Sequence, residues 1–238
     1  MKRSIIVTGG TKGIGRAVIN LFADKGFDVV TCARSEADLE GLKAEMTAKY
    51  PEVRISFMPV DLSDREQALK FVEFARSHAH SLDVLVNNTG IFIPGKITEE
   101  ETGTFEKMLG TNLNSAYYVT RGLIKPIKNA KGHIFNMCST ASIMPYTNGG
   151  SYCISKFALL GMTKVLREEM KPFDVKVTAI MPGATLTSSW IGTDLPEDRF
   201  MKADDVAHAI WHAYAMSPRS VVEEIIIRPQ MGDITGNY

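Results

Sequence analysis

The chain has 238 residues, of which 45% are hydrophobic and 23% charged, so it has ample apolar material for a globular core and is not disordered. Its 27 Lys and Arg residues balance 27 Asp and Glu residues. This zero net charge is not typical of a protein that binds nucleic acid or an anionic membrane. Three scattered cysteines, Cys32, Cys138 and Cys153, predict neither a disulfide framework nor a metal site.

The first residues are basic, but the apolar run after them, residues 5–7, is too short for a secretory signal. No stretch approaches the roughly 18–20 uninterrupted apolar residues that a membrane-spanning helix needs. We therefore expect a soluble, cytoplasmic protein that binds neither nucleic acid nor membrane.

Short β-branched runs alternate with amphipathic segments along almost the whole chain. The predicted strands are residues 4–8, 28–32, 53–60, 83–87, 133–138, 175–180 and 222–228. The predicted helices are residues 13–25, 36–50, 64–80, 99–128, 151–171 and 203–216. We expect the fourth helix to bend near Gly110 and to be interrupted at Pro126. The alternation predicts one α/β domain, residues 1–238, with a parallel sheet covered by helices on both faces, and residues 183–201 form a flap.

The turn between the first strand and the first helix reads T-G-G-T-K-G-I-G. Its glycines allow the backbone to approach a pyrophosphate, whose charge the helix N-terminus favours. The spacing differs from the common G-x-G-x-x-G fingerprint, and a turn without a ligand is the alternative. The candidate cofactor-binding residues in this turn are Gly9, Thr11, Lys12, Gly13, Ile14 and Gly15.

The residue that follows the second strand indicates which dinucleotide is bound. An acidic side chain there would hydrogen-bond the ribose 2′-hydroxyl of NAD, whereas an arginine accommodates the 2′-phosphate of NADP. Ala33 stands where the acid could be and Arg34 follows it, while Lys12 adds a second cation. The pair favours NADP(H), although solvated surface cations are the alternative.

A Tyr-x-x-x-Lys pattern on the fifth predicted helix is the strongest signal for chemistry. Tyr152 and Lys156 lie four residues apart and so share one helix face. The ammonium favours the ionised phenol, which makes Tyr152 a candidate proton donor and acceptor near neutral pH. Ser139, at the end of the fifth strand, can hold the substrate oxygen, and Asn112 is a candidate anchor for a water-linked path to Lys156.

With these motifs the sequence resembles the short-chain dehydrogenase/reductase family over residues 8–228. The resemblance implies a catalytic set of Asn112, Ser139, Tyr152 and Lys156. It further implies cofactor contacts from Tyr152 and Lys156 and from three other segments: the acidic residue after the third strand and its neighbour, the N-N-x-G segment, and the P-G stretch after the sixth strand. The residues concerned are Asp61, Leu62, Asn88, Gly90, Pro182, Gly183, Thr185 and Thr187.

The resemblance also implies a seven-stranded Rossmann sheet, a homodimer or homotetramer, and reduction of a ketone or aldehyde to an alcohol with NADP(H). Thr89 and Thr185 depart from the residues usual in the family, and the Asp-Gly-Gly that often follows the last strand is missing. The actual ending, together with Arg34, resembles bacterial sepiapterin-reductase-like and carbonyl-reductase-like members. Asp233 is then either a contact to a pterin-like ring or a solvated tail carboxylate.

Three functions stay open within this resemblance. A 3-oxoacyl-thioester reductase acting on an acyl-carrier substrate and a sepiapterin-type reductase are the two enzymatic alternatives. A binding protein that senses NADP(H) without turnover is the alternative from another class, and the presence of all four tetrad residues disfavours it. In the flap, Trp190 is expected either to line the substrate pocket or to pack the flap against the body.

Overall fold

The computed structural model describes residues 2–187, 190 and 192–234, and these fold around one parallel sheet. The strands are β1 (Ser4–Thr8), β2 (Asp28–Ala33), β3 (Ile55–Pro59), β4 (Val84–Asn87), β5 (His133–Met137), β6 (Lys176–Pro182) and β7 (Glu224–Ile227). The α-helices are α1 (Gly13–Asp24), α2 (Glu36–Lys49), α3 (Arg65–His78), α4 (Thr104–Leu109), α5 (Ser115–Ala130), α6 (Gly150–Met170) and α7 (Ala203–Tyr214).

The strand order is β3-β2-β1-β4-β5-β6-β7, and every neighbouring pair is parallel. The predicted seven-stranded, doubly covered Rossmann fold is therefore confirmed. The strand order changes direction at β1, which pairs with β2 on one side and with β4 on the other. Ligands of such sheets bind in the crevice at the carboxyl ends of the strands beside this reversal.

Helices cover both faces of the sheet because the buried strands are apolar on both sides. In β1, Ile5 and Val7 point into a core built with α1 and α7, whereas Ile6 points into a second core built with α3 and α5. Phe22 and Phe71 are fully buried anchors of the two cores. The two cores hold the strand ends, and thus the loops that carry the candidate site, in fixed positions.

The helical stretch predicted over residues 99–128 differs from the structure in two ways. It begins only at Thr104, and the predicted bend near Gly110 is a π-helical turn, Gly110–Asn114, in which the amide of Ser115 donates to the carbonyl of Gly110. The turn accommodates one residue more than an α-helical turn would.

The predicted interruption at Pro126 was wrong, because α5 continues through it to Ala130. Proline has no N–H, so the carbonyl four residues earlier, that of Gly122, loses its helical donor. Arg76 of α3 replaces that donor: its Nε lies 2.8 Å from the Gly122 oxygen. A neighbouring helix thus compensates for the bond that the proline removes.

The flap, residues 183–201, has little regular structure, as its lack of periodicity predicts. Its two ends are joined by backbone hydrogen bonds, from Met201 to the Ala184 carbonyl at 3.0 Å and from Leu186 to the Met201 carbonyl at 2.9 Å. A short 3₁₀ turn, Glu197–Arg199, precedes the second end. Residues 188, 189 and 191 of the predicted flap lie outside the described residues.

Among the described helices, none combines the length and the apolar character needed to cross a membrane. The described part of the chain likewise contains no cluster of His, Cys, Asp and Glu side chains suited to a metal ion. The three cysteines are free and buried.

Candidate active site

The turn between β1 and α1 is fastened to the end of β4 by Asn88. Its side-chain amide donates to the carbonyls of Thr8 and Gly9, both at 3.0 Å, and its own backbone N–H bonds the Thr8 hydroxyl at 3.0 Å. A Cβ on Gly15 would collide with the Gly9 carbonyl and with the Asn88 amide. The glycine at this position is therefore required by the close approach of the helix to its own turn.

The N-terminus of α1 begins without a capping side chain on its N-cap residue. Lys12 occupies the N-cap position in an extended conformation, its own side chain makes no capping hydrogen bond, and no acidic residue lies in the first turn. The first N–H groups of a helix without such a cap are free to bind an anion. Ile14 packs against the core, and the methyl of Thr187 lies 3.1 Å from the position of a Cβ on Gly13, which brings the flap to the same turn.

The two predicted phosphate-binding cations have different surroundings. Lys12 lies at the surface and pairs with Asp38 of α2, with 2.7 Å between Nζ and Oδ2. This pairing was not predicted, since the carboxylate comes from another helix. Arg34 is exposed just after β2.

Asp61 lies within the electrostatic reach of Arg34. Partial burial raises the pKa of the Asp61 carboxyl, but hydrogen bonds from Ser63 and the charge of Arg34 outweigh burial, so the net change is downward. The Ser63 amide and hydroxyl reach Asp61 Oδ1 at 2.9 and 2.7 Å. Leu62 is 4% exposed and its side chain belongs to the core.

Tyr152, Ser139 and Lys156 converge beside the end of β5. The Ser139 hydroxyl accepts a hydrogen bond from the Ala141 amide at 3.1 Å and lies close enough to the Tyr152 phenol to lower its pKa. The Lys156 Nζ lies 5.7 Å from the centre of the Tyr152 ring and donates to the Met137 carbonyl at 2.7 Å. The four-residue spacing on the helix and the position of Ser139 at the end of the fifth strand were both predicted from the sequence. Together they bring the three side chains close to one another.

Burial changes the pKa of both titratable groups in this set. Desolvation raises the pKa of the Tyr152 phenol, and the hydrogen bond from Ser139 reduces that rise without cancelling it. Desolvation lowers the pKa of Lys156 to about 8. The sequence predicted that the ammonium would favour an ionised phenol; in the structure burial dominates, and the phenol is held in its protonated form at neutral pH.

Asn112 lies in the π-helical turn and is 1% exposed. Its Oδ1 accepts from the Ile91 amide at 2.7 Å, while its Nδ2 donates to the Ile91 carbonyl at 3.0 Å and to Ser155 Oγ at 2.9 Å. A Cβ on Gly90 would stand 3.3 Å from Asn112 Oδ1 and 3.5 Å from Lys156 Nζ. The absence of a side chain at Gly90 therefore leaves space beside both groups.

The end of β6 meets the C-terminal tail. Pro182 is buried. Thr185 is 4% exposed, and its hydroxyl donates to the Gly183 carbonyl at 3.1 Å. Asp233 Oδ1 lies 3.2 Å from the position of a Cβ on Gly183, and Asp233 Oδ2 accepts from Arg228 Nε at 2.9 Å. The tail carboxylate is therefore paired and lies against the P-G stretch rather than projecting into solvent.

Two neighbours of the site were not found from the sequence. Phe92 packs edge-on against Tyr152, with ring centres 4.9 Å apart, and is 40% exposed. Ser155 links Asn112 to the Tyr152 carbonyl, to which its hydroxyl donates at 2.7 Å. An apolar residue shortly after Gly90 was the available signal for Phe92, whereas nothing in the local pattern singles out Ser155.

Comparison with known proteins gives a consistent result. The sequence profile of the short chain dehydrogenases matches residues 3–196. Sepiapterin reductase of Chlorobaculum tepidum is 31% identical over 243 residues, which cover 98% of this chain and 99% of that protein.

The solved structures agree with this result. L-sorbose reductase from Gluconobacter frateurii, in complex with NADPH and L-sorbose, superposes with a TM-score of 0.89 at 25% identity and covers 97% of this chain and 96% of its own. Alcohol dehydrogenase from the archaeon Thermococcus sibiricus, complexed with 5-hydroxy-NADP, gives a TM-score of 0.90 at 23% identity over the whole of both chains, a likeness of fold. The chain therefore belongs to the short-chain dehydrogenase family.

Proposed function

We propose that this protein is an NADP(H)-dependent oxidoreductase that reduces a ketone or aldehyde to an alcohol. The observation that carries the proposal is the convergence of Tyr152, Ser139 and Lys156 beside the end of β5. L-sorbose reductase and sepiapterin reductase, both similar to this chain over nearly its full length, are named for reductions of this kind.

The residues at the crevice fit a dinucleotide with a 2′-phosphate. The uncapped start of α1 suits a pyrophosphate, and the space left at Gly90 suits a ribose beside Lys156. Arg34 is exposed after β2, where it can meet a 2′-phosphate, and Lys12 can reach the same group on leaving Asp38. In this proposal the backbone of Pro182, Gly183, Thr185 and Thr187 holds the nicotinamide end.

The chain's own residues then act on the substrate oxygen. When bound, the nicotinamide supplies the hydride that the carbonyl carbon accepts. Ser139 holds the carbonyl oxygen, and Tyr152 gives its proton to that oxygen as the hydride arrives. Because burial raises the pKa of the phenol above its ordinary value, Tyr152 carries at neutral pH the proton that reduction requires. Lys156 donates to the ribose and supports the phenolate left behind, and Asn112 fixes the segment at Ile91.

Replacement of Tyr152 by phenylalanine tests the proposal. The change removes one hydroxyl, so we expect turnover to fall by roughly 10²- to 10⁴-fold, the usual contribution of a general acid, with NADPH binding retained. Consumption of NADPH, followed by its absorbance, gives turnover, and its fluorescence gives binding. Tyr117→Phe, on the exposed face of α5, is the matched control. Normal turnover in Tyr152→Phe would eliminate the mechanism.

A pteridine carbonyl is the second candidate substrate, because Asp233 lies beside Gly183 and the C. tepidum relative is a sepiapterin reductase. A carboxylate at this position can accept hydrogen bonds from an amino-pyrimidine ring edge. A panel of a small diketone, an acetoacetyl thioester and sepiapterin, each with NADPH and NADH, discriminates the substrate classes. Turnover of sepiapterin that Asp233→Asn abolishes selectively would establish the second candidate. NADPH binding without turnover of any carbonyl would favour the sensing protein.

A further inference from the structure

The helix that carries Tyr152 and Lys156 begins without a cap of its own. Gly149 is the N-cap residue of α6, no flanking side chain bonds its first N–H groups, and its first turn contains no acidic residue. The first amides of a helix need acceptors, and a carboxylate is the acceptor that the helix dipole favours most.

Glu100, 51 residues earlier in the chain, supplies that acceptor. Its Oε1 accepts from the Ser151 amide at 2.7 Å, and its Oε2 accepts from the Ser151 hydroxyl. Ser151 is 2% exposed and Glu100 is half-buried, so water competes little for these bonds. A Cβ on Gly150 would collide with the Glu100 carboxylate, and only glycine leaves room for it there.

The segment that bears Glu100 also reaches Tyr152 by other contacts. The Gly95 amide donates to the Asn148 carbonyl at 3.0 Å, which joins this segment to the residues just before α6. Phe92 of the same segment packs against the Tyr152 ring. The amide held by Glu100 belongs to the residue immediately before Tyr152, so the carboxylate fixes the backbone from which the phenol projects.

We propose that Glu100 is a positioning residue: as a remote cap of α6, it sets the place of the Tyr152 phenol relative to Ser139. The inference rests on the proposed reductase function. Small misplacements of a catalytic group cost large factors in rate, so loss of the cap lowers kcat more than it lowers cofactor binding.

The test compares Glu100→Ala with Glu100→Gln. The control is Glu101→Ala, because Glu101 is the next residue in the chain and its side chain is exposed. We expect Glu100→Ala to lower kcat by on the order of ten- to a hundred-fold while the dissociation constant of NADPH is unchanged. Glu100→Gln retains most of kcat, because its amide oxygen still accepts from the Ser151 N–H and its NH₂ can donate to the Ser151 hydroxyl. Glu101→Ala behaves as the unaltered protein.

Three results would overturn the inference: full kcat in Glu100→Ala, parallel loss of kcat and NADPH binding, or no rescue by glutamine. If Glu100→Ala does not fold, Ser151→Ala removes only the hydroxyl bond and must still lower kcat. If the unaltered protein reduces no carbonyl, the proposed function fails. Amide hydrogen exchange then tests separately whether Glu100 caps α6. Faster exchange of the Ser151 amide in Glu100→Ala than in Glu101→Ala supports the capping role of Glu100, and equal exchange overturns it.

Discussion

Replacement of Lys156 by methionine isolates the cost of burying its ammonium. The side chain is 5% exposed, and burial lowers its pKa to about 8 from the ordinary 10.5. The folded protein therefore binds this proton more weakly than the unfolded chain does. This destabilisation of the folded state by the buried ammonium is fully present below pH 8 and shrinks as the pH rises towards 10.5. It vanishes above pH 10.5, because both states then carry a neutral amine.

The size of the effect follows from the two pKa values. The gap between about 8 and 10.5 corresponds to about 3 kcal/mol of the free energy of unfolding. Between pH 7 and pH 10, the unfolding free energy of the native protein should rise relative to that of Lys156→Met by about 2 to 3 kcal/mol. Methionine also lacks the hydrogen bond that Lys156 donates to the Met137 carbonyl, and the weakening of that bond when Lys156 loses its proton is already contained in the folded-state pKa.

Urea denaturation of both proteins at several pH values between 7 and 10 measures this difference. Lys164→Met is the matched control, since Lys164 lies on the same helix but at the surface, paired with Glu224. A difference between native protein and Lys156→Met that stays constant or falls over this range would refute the reasoning. An equal rise in the control would assign the effect to the loss of any cation from α6.

Two further variants test the cofactor preference and the compensated proline. Arg34→Ala should weaken NADPH binding while leaving NADH binding unchanged, because only the 2′-phosphate differs between the two; an unchanged preference in binding titrations would reject Arg34 as its partner. Arg76→Ala should lower the unfolding free energy by about 1 kcal/mol, since the Gly122 carbonyl loses its donor. In a Pro126→Ala background, where the helix regains its own N–H, this cost should largely disappear in denaturant titrations, and persistence of the full cost would contradict the compensation.

The parts of the fold that depend on local pattern were predictable from the sequence. The continuous apolar run of β1 indicated a strand covered on both faces, and Ile5, Ile6 and Val7 do alternate between two cores. The i, i+4 spacing put Tyr152 and Lys156 on one helix face, and the structure brings both towards Ser139. Whether these side chains catalyse a reaction, and whether the chain is a dimer or tetramer in the cytoplasm, stay predictions.

What the sequence could not reveal are contacts between distant segments. The proline rule that predicted an interrupted helix is valid for an isolated helix, but Arg76 on another helix replaces the missing donor. The pairing of Lys12 with Asp38 and the capping of α6 by Glu100 are likewise contacts between segments that are distant in the sequence. The direction of the Tyr152 pKa was also beyond local reasoning, because it depends on burial by the folded chain more than on the charge four residues away.

The π-helical turn at Gly110–Asn114 makes the length of the chain at this point critical. Removing one residue there would restore the α-helical register and rotate the following helix by about 100° relative to α4. Val119 and Leu123, fully buried in the core, would then turn away from the sheet. A single deletion in this polar helical junction should therefore damage the protein more than most substitutions within it, although nothing in its composition marks it as fragile.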